Sequence, residues 1–235
     1  MIRVSTGVEG LDEMLGGGFP KRRVVLLCGG PGAGKTIFCL QFLASAAERG
    51  EPGVYVTLEE PMSFIMENID AFGWNLKEKE SSNRVRLLNL YTVPYVGGSE
   101  LRDRESKGPT LSFIREVISA VETIDAEHVV IDPLTSIAIH EQREALKRYK
   151  ISELFTELRK IGCTSIFTSE ITSSNNEFYM EEFLADGVIR LDKTIQNFNL
   201  MKTIRIEKMR GVKFDEQPRR YVIDERGFTV YHTER

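Results

Sequence analysis

The octapeptide GGPGAGKT, Gly29 to Thr36, constrains this chain more than any other stretch. It fits the pattern G-x-x-x-x-G-K-[ST] and follows directly on the apolar run VVLLC at 24–28. A loop of this kind wraps until successive N–H groups converge, which takes glycines. It belongs between a buried strand and the first turn of a helix, whose dipole adds to the pull on an anion. On this reading Gly29, Gly30, Pro31, Gly32, Ala33, Gly34, Lys35 and Thr36 form a cradle for the phosphates of a nucleotide. Lys35 would reach the β and γ phosphates, and the Thr36 hydroxyl would ligate Mg²⁺.

The rest of the chain repeats the same alternation. VYVTL (54–58), VRLLNL (85–90), HVVID (128–132) and TSIFT (164–168) read as further short strands, each followed or preceded by an amphipathic stretch. Leu111, Ile114, Val117, Ile118 and Val121 recur at helical spacing after Gly108-Pro109, as do Leu154, Phe155, Leu158 and Ile161 farther on. From GVIRL (187–191) onward, MKTIRIEKM, RRYVID and FTVYH read as strands joined by short turns, without intervening helices. The expected fold is α/β: a central, mostly parallel twisted sheet flanked by helices, with an antiparallel extension at the carboxyl end. The 235 residues, 41% apolar and 28% charged, fit one domain over 1–235. The Gly-rich, charge-balanced segment 97–109 is expected to be a surface loop.

Several acids fall where phosphoryl chemistry would need them. Asp132 closes HVVID, the position from which a second carboxylate orients the metal of a phosphate loop. Glu59 and Glu60, in TLEEP, end the 54–58 strand at the ligand-binding edge of an open sheet, where a carboxylate can activate water. Glu170, after Thr168 and Ser169, sits at the end of the 164–168 strand and is a candidate sensor of the terminal phosphate. Strand alternation in TIRIEKMRG places Ile204 and Ile206 on one face with Lys208 and Arg210, an apolar face with a doubly cationic tip.

Taken in order, STGVEGLDEMLGGGFP, GGPGAGKT, TLEEP, HVVID, TSE, ADGVIRL and EKMRG resemble the RecA superfamily of P-loop ATPases and, within it, the KaiC-like family. The resemblance spans nearly the whole chain, in the manner of the single-domain archaeal members. It implies a RecA-like P-loop fold and ATP with Mg²⁺ as ligands. It also implies a homohexameric ring with nucleotide at the subunit interfaces, coupling nucleotide state to conformation or to a partner. Glu59 and Glu60 fall on the family's catalytic carboxylate pair. Lys208 and Arg210 fall on its Lys-x-Arg strand end, which reaches the γ-phosphate held by the neighbouring subunit. Val212-Lys213-Phe214 departs from the His or Ser that often follows there. Ser173-Ser174 match the autophosphorylated pair of the clock protein poorly, so the resemblance does not carry autophosphorylation over, and an autokinase stays an open alternative.

Composition narrows the alternatives. A net charge of −4 gives no overall basic field for nucleic acid or anionic lipid. The loop over 171–183 carries three glutamates and neither Lys nor Arg, which disfavours DNA on that surface. A RadA-paralogue-like DNA-binding ATPase and an ATP-dependent protein kinase stay open as other uses of the same parts. No membrane association is expected, and without a hydrophobic signal segment at the start the expected location is cytoplasmic. Three cysteines in apolar segments read as reduced thiols, and the scattered histidines have no zinc spacing.

Overall fold

All five of the apolar runs from 24 to 168 become parallel strands of one nine-stranded sheet. The computed structural model describes residues 1–90, 109–138, 143–170 and 180–232. The strands are β1 (Arg3–Val4), β2 (Phe19–Pro20), β3 (Val24–Gly29), β4 (Gly53–Thr57), β5 (Val85–Asn89), β6 (His128–Asp132), β7 (Thr164–Ser169), β8 (Gly187–Gln196), β9 (Asn199–Met209), β10 (Arg219–Asp224) and β11 (Gly227–Val230). In the large sheet they lie in the order β11-β10-β9-β8-β3-β7-β6-β4-β5, while β1 and β2 form a separate pair. The phosphate-loop strand β3 is therefore interior, with β7 on one side and β8 on the other. Every side chain of β3, β4, β6 and β7 is buried, which is why these strands read as continuous apolar runs rather than alternating ones.

Helices cover both faces. Helices α1 (Leu11–Met14), α2 (Lys35–Glu48), α3 (Met62–Ile69) and α4 (Leu76–Ser81) pack on one side, where Phe38, Phe42, Ile65 and Leu76 meet Val25, Leu27, Tyr55 and Ile189. On the other, α5 (Pro109–Ile124) and α7 (Glu144–Ile161) bring Ile114, Val117, Val121, Leu154, Phe155 and Leu158 onto Val24, Leu26, Val54 and Val129. A four-residue helix, α6 (Thr135–Ala138), follows β6, and a five-residue one, α8 (Met180–Leu184), precedes β8. At ~1.5–3 kcal/mol for each large apolar side chain removed from water, these two layers are the main favourable term of the fold.

The carboxyl-terminal strands do not form a uniform antiparallel group. GVIRL, the start of β8, runs parallel to β3, and antiparallel pairing begins with β9. Residues 97–108 of the expected surface loop, and residues 171–179 of the acidic loop with Ser173 and Ser174, lie outside the described residues. So does His140. Cys28, Cys39 and Cys163 are buried and unpaired, and burial pushes the Cys28 thiol up to about 12. Among the described residues no helix is long and apolar enough to cross a membrane.

One expectation about the strand tip is overturned. The pairing of β8 with β9 slips by one residue between Val188 and Ile189, so that Ile189 faces Ile206 but Val188 faces Lys208. Glu207 is the extra residue of a β-bulge. The slip breaks the two-residue rhythm: Ile204, Ile206 and Met209 share the α2 face, whereas Lys208 and Arg210 turn to the opposite one.

Candidate functional site

Gly29 ends β3, and the chain then arches through two left-handed glycines into α2. Gly32 has φ 69° and Gly34 φ 96°, conformations that side chains with a Cβ adopt at a cost. A methyl group at Gly34 would also come within 2.3 Å of Ile223 Cδ1 on β10. From the same strand, the Tyr221 hydroxyl donates to the Ala33 carbonyl at 2.7 Å. The loop is thus shaped by its own glycines and braced by the carboxyl-terminal strands.

Lys35, the first residue of α2, is only 9% exposed, and its ammonium donates to the carbonyls of Gly29 (2.8 Å) and Gly30 (3.3 Å). Among the described residues it has no carboxylate partner. A cation that is nearly buried without an acid is costly, and two carbonyl oxygens compensate only partly. The donor set suits a multiply charged anion lying in the loop.

Thr36 and Asp132 meet directly, the Thr36 hydroxyl donating to Asp132 Oδ2 at 2.7 Å. The same oxygen accepts from the buried Tyr55 hydroxyl at 2.8 Å, and Oδ1 accepts from Thr168. Three hydroxyls, from α2, β4 and β7, therefore fix one carboxylate at the carboxyl end of β6. Burial, then the Asp132 charge, push the Tyr55 phenol well above its ordinary value, so it stays protonated as a donor. A hydroxyl and a carboxylate oxygen side by side are hard ligands of the kind Mg²⁺ takes together with waters and phosphate oxygens, so the residues fit that ion.

These groups line a cavity of about 440 Å³. Its walls include the loop from Pro31 to Ile37, Thr57, Glu59, Glu60, Asp132 and Glu170, with Ile65, Asn68 and Ile69 of α3 closing one side. Glu59 and Glu60 are exposed there. The Glu59 carboxylate accepts from Ser136 of α6, and the Glu60 carbonyl accepts from Thr57 at 2.7 Å. Glu170 is exposed at the tip of β7. The sheet edge thus gathers Gly29 through Thr36, Asp132, Glu59, Glu60 and Glu170 into one place.

Lys208 and Arg210 are elsewhere. Met209, between them, is level with Gly187 and hence with Val25, four residues of β3 short of Gly29. At ~3.3 Å per residue that is about 13 Å along the strand, and on the face away from α2. Here both cations sit on the carbonyl end of α8. Lys208 Nζ donates to the carbonyls of Glu182 (2.8 Å), Phe183 (3.3 Å) and Ala185 (2.6 Å), and Arg210 donates to Phe183 at 3.1 Å. Burial, then the Arg210 charge, hold the Lys208 ammonium below its ordinary value. Neither side chain lines the cavity of its own chain.

Sequence reasoning missed Tyr55, Tyr221 and Lys193. Tyr55 carried a signal, a lone hydroxyl-bearing ring in the aliphatic run VYVT. Tyr221 and Lys193 carried none, because only the sheet order brings β10 and β8 to the loop.

Comparison with known proteins agrees with this architecture. The family described as "ATPase: KaiC" matches residues 4–235. A UPF0273 protein of Methanopyrus kandleri is 37% identical over 232 residues, covering 97% of this chain and 91% of its own length. The circadian clock protein KaiC2 of Synechocystis is 31% identical over 98% of this chain but only 40% of the clock protein. Among solved structures, a KaiC-like protein of Pyrococcus horikoshii superposes with a TM-score of 0.85 at 34% identity, over 98% of this chain and 99% of that one. The chain belongs to the KaiC-like family of RecA-superfamily ATPases.

Proposed function

We propose that this chain binds ATP with Mg²⁺ in the Gly29–Thr36 cradle and hydrolyses it at interfaces between copies of itself, in a hexameric ring. The observation that carries the reading is the Lys35 ammonium, nearly buried in a glycine loop with, among the described residues, two carbonyls as its partners. Thr36 and Asp132 would hold Mg²⁺, which would supply neutralisation of phosphate charge. Lys35 and the loop N–H groups hold the phosphate chain, and Asp132 is kept in position by Tyr55 and Thr168. Glu59 or Glu60 takes a proton from water as its oxygen attacks the γ-phosphorus. The bond to the β-phosphate oxygen breaks with its electron pair leaving on ADP, giving ADP and inorganic phosphate. Glu170 reads whether the terminal phosphate is present.

The charge that spreads over the γ-phosphoryl group calls for further cations. Lys208 and Arg210 lie too far from their own cradle to supply it, which supports delivery from a neighbouring copy. The ring then converts occupancy of each site into contacts between subunits, and from there into a conformation that a partner reads.

Exchanging carboxylate for amide tests the acids, since the shape is kept and the basicity lost. At least one of Glu59→Gln and Glu60→Gln is expected to bind ATP normally while turning over about 10²-fold more slowly. Phosphate release under saturating ATP measures it. Wild-type turnover in both variants and in the double variant would return the pair to surface acids.

A further inference from the structure

β8 outruns its neighbour. Its pairing with β3 ends at Leu191 opposite Gly29, and Asp192 and Lys193 continue alongside the arch of the loop. Lys193 falls two residues after Leu191, which packs in the α2-side core, so Lys193 points toward the face over which the loop bends. Its ammonium donates to the Pro31 carbonyl, and a methyl group at Gly32 would lie 3.3 Å from Nζ.

The neighbourhood is otherwise neutralised. Arg190 pairs with Glu182 and Glu207, and Arg205 pairs with Asp192 and Glu207. Lys193 does not share in this. Directly opposite it on β9 is Lys202, on the same face, and among the described residues neither lysine has an acid within ion-pair distance. Like charges opposed across a ladder are destabilising. Two of them left unmatched beside a phosphate-binding loop suit an anion that arrives from outside the chain.

The end of the loop they flank is defined by Lys35. Its ammonium rests on Gly29 and Gly30, immediately before Pro31, and this is the lysine that reaches the β and γ phosphates in loops of this pattern. Lys193 therefore approaches the terminal-phosphate end, from its own chain and from the side opposite Asp132, since β7 and β6 lie on the other flank of β3.

We propose that Lys193 is a nucleotide-contacting residue that reads the terminal phosphate in cis, its ammonium moving from the Pro31 carbonyl to a γ-phosphate oxygen, with Lys202 raising the local positive field. This rests on the nucleotide reading above and adds a specificity determinant to it: the pair favours triphosphate over diphosphate. An ammonium released from a carbonyl to a phosphate oxygen exchanges a neutral acceptor for a charged one, and bonds to charged partners are about twice as strong.

Equilibrium binding of Mg-ATP and Mg-ADP to wild type, Lys193→Gln, Lys193→Arg and Lys202→Gln tests the proposal. Lys193 is exposed, so the substitutions should leave the melting temperature near wild type. Lys193→Gln is expected to weaken ATP about tenfold, as for one charge-assisted contact, and ADP less than about twofold. Lys193→Arg should recover most of the loss, and Lys202→Gln should show a smaller shift in the same ratio. An equal loss for ATP and ADP would mean that Lys193 only stiffens the loop through Pro31, and an unchanged ratio would likewise overturn the proposal. Wild type binding neither nucleotide would instead remove the nucleotide reading itself, and this inference with it.

Discussion

A Lys35→Ala chain is expected to lose Mg-ATP binding by at least about 100-fold, with turnover falling to background, while melting no lower than wild type. The first half follows from removing the nearly buried cation seated inside the loop, where a charged hydrogen bond to phosphate contributes about 1.5–3 kcal/mol or more. The second half follows from the geometry without nucleotide. Lys35 is nearly buried and, among the described residues, its partners are two carbonyls, so alanine removes a cation that the folded chain had to desolvate. Helix α2 keeps its start, because Gly34 caps it with its own left-handed turn and alanine is the best helix former. Titration calorimetry and a thermal melt on the same sample decide the matter. Retained ATP affinity would show that the cradle is not the site, whereas a collapse of the melt would show that Lys35 is structural.

The second large effect is expected at Arg210. Arg210→Ala should slow hydrolysis about 10³-fold, the range for a lost arginine finger, and leave ATP affinity close to wild type. The side chain lies far from its own cradle, on the carbonyl end of α8. Mixing Arg210→Ala with Lys35→Ala chains should then restore activity that neither has alone. An intact site takes its loop from an Arg210→Ala chain and its finger from a Lys35→Ala chain. With random mixing in equal amounts, about a quarter of interfaces satisfy this. Fluorescence transfer between labelled chains establishes that subunits exchange. Exchange without recovered turnover would place the function of Arg210 inside its own chain.

The parallel part of this fold was legible because its strands are buried on both faces, which writes them as uninterrupted runs such as VVLLC and HVVID. The cradle was legible for a different reason, since its chemistry depends on neighbours in sequence. What sequence could not convey was anything set by long-range register. The three hydroxyls on Asp132 come from residues 36, 55 and 168, and the brace on Ala33 comes from residue 221. GVIRL looked like part of the antiparallel group because short turns join it to the strands that follow, yet it follows α8 and pairs parallel with β3. The alternation argument for Lys208 and Arg210 failed because a two-residue period presumes an unbroken ladder.

That break at Glu207 acts as an aiming device. Drawing Glu207 into the ladder as a paired residue would carry both cations to the α2 side and turn Met209 outward, although neither Lys208 nor Arg210 had changed, whereas deleting it would leave them where they are. The direction of the strand tip is therefore set by whether residue 207 is paired or bulged rather than by the identities of the cations. An alignment of related chains that preserved Lys-x-Arg letter for letter would still misplace it if one of them paired the residue at 207 instead of bulging it out. Glu207 is also pinned by Arg190 and Arg205, so losing it would take one carboxylate from each, leaving Arg190 to Glu182 and Arg205 to Asp192. The bulge thus sets where the cations point, while the carboxylate it carries sets the charge balance beneath them.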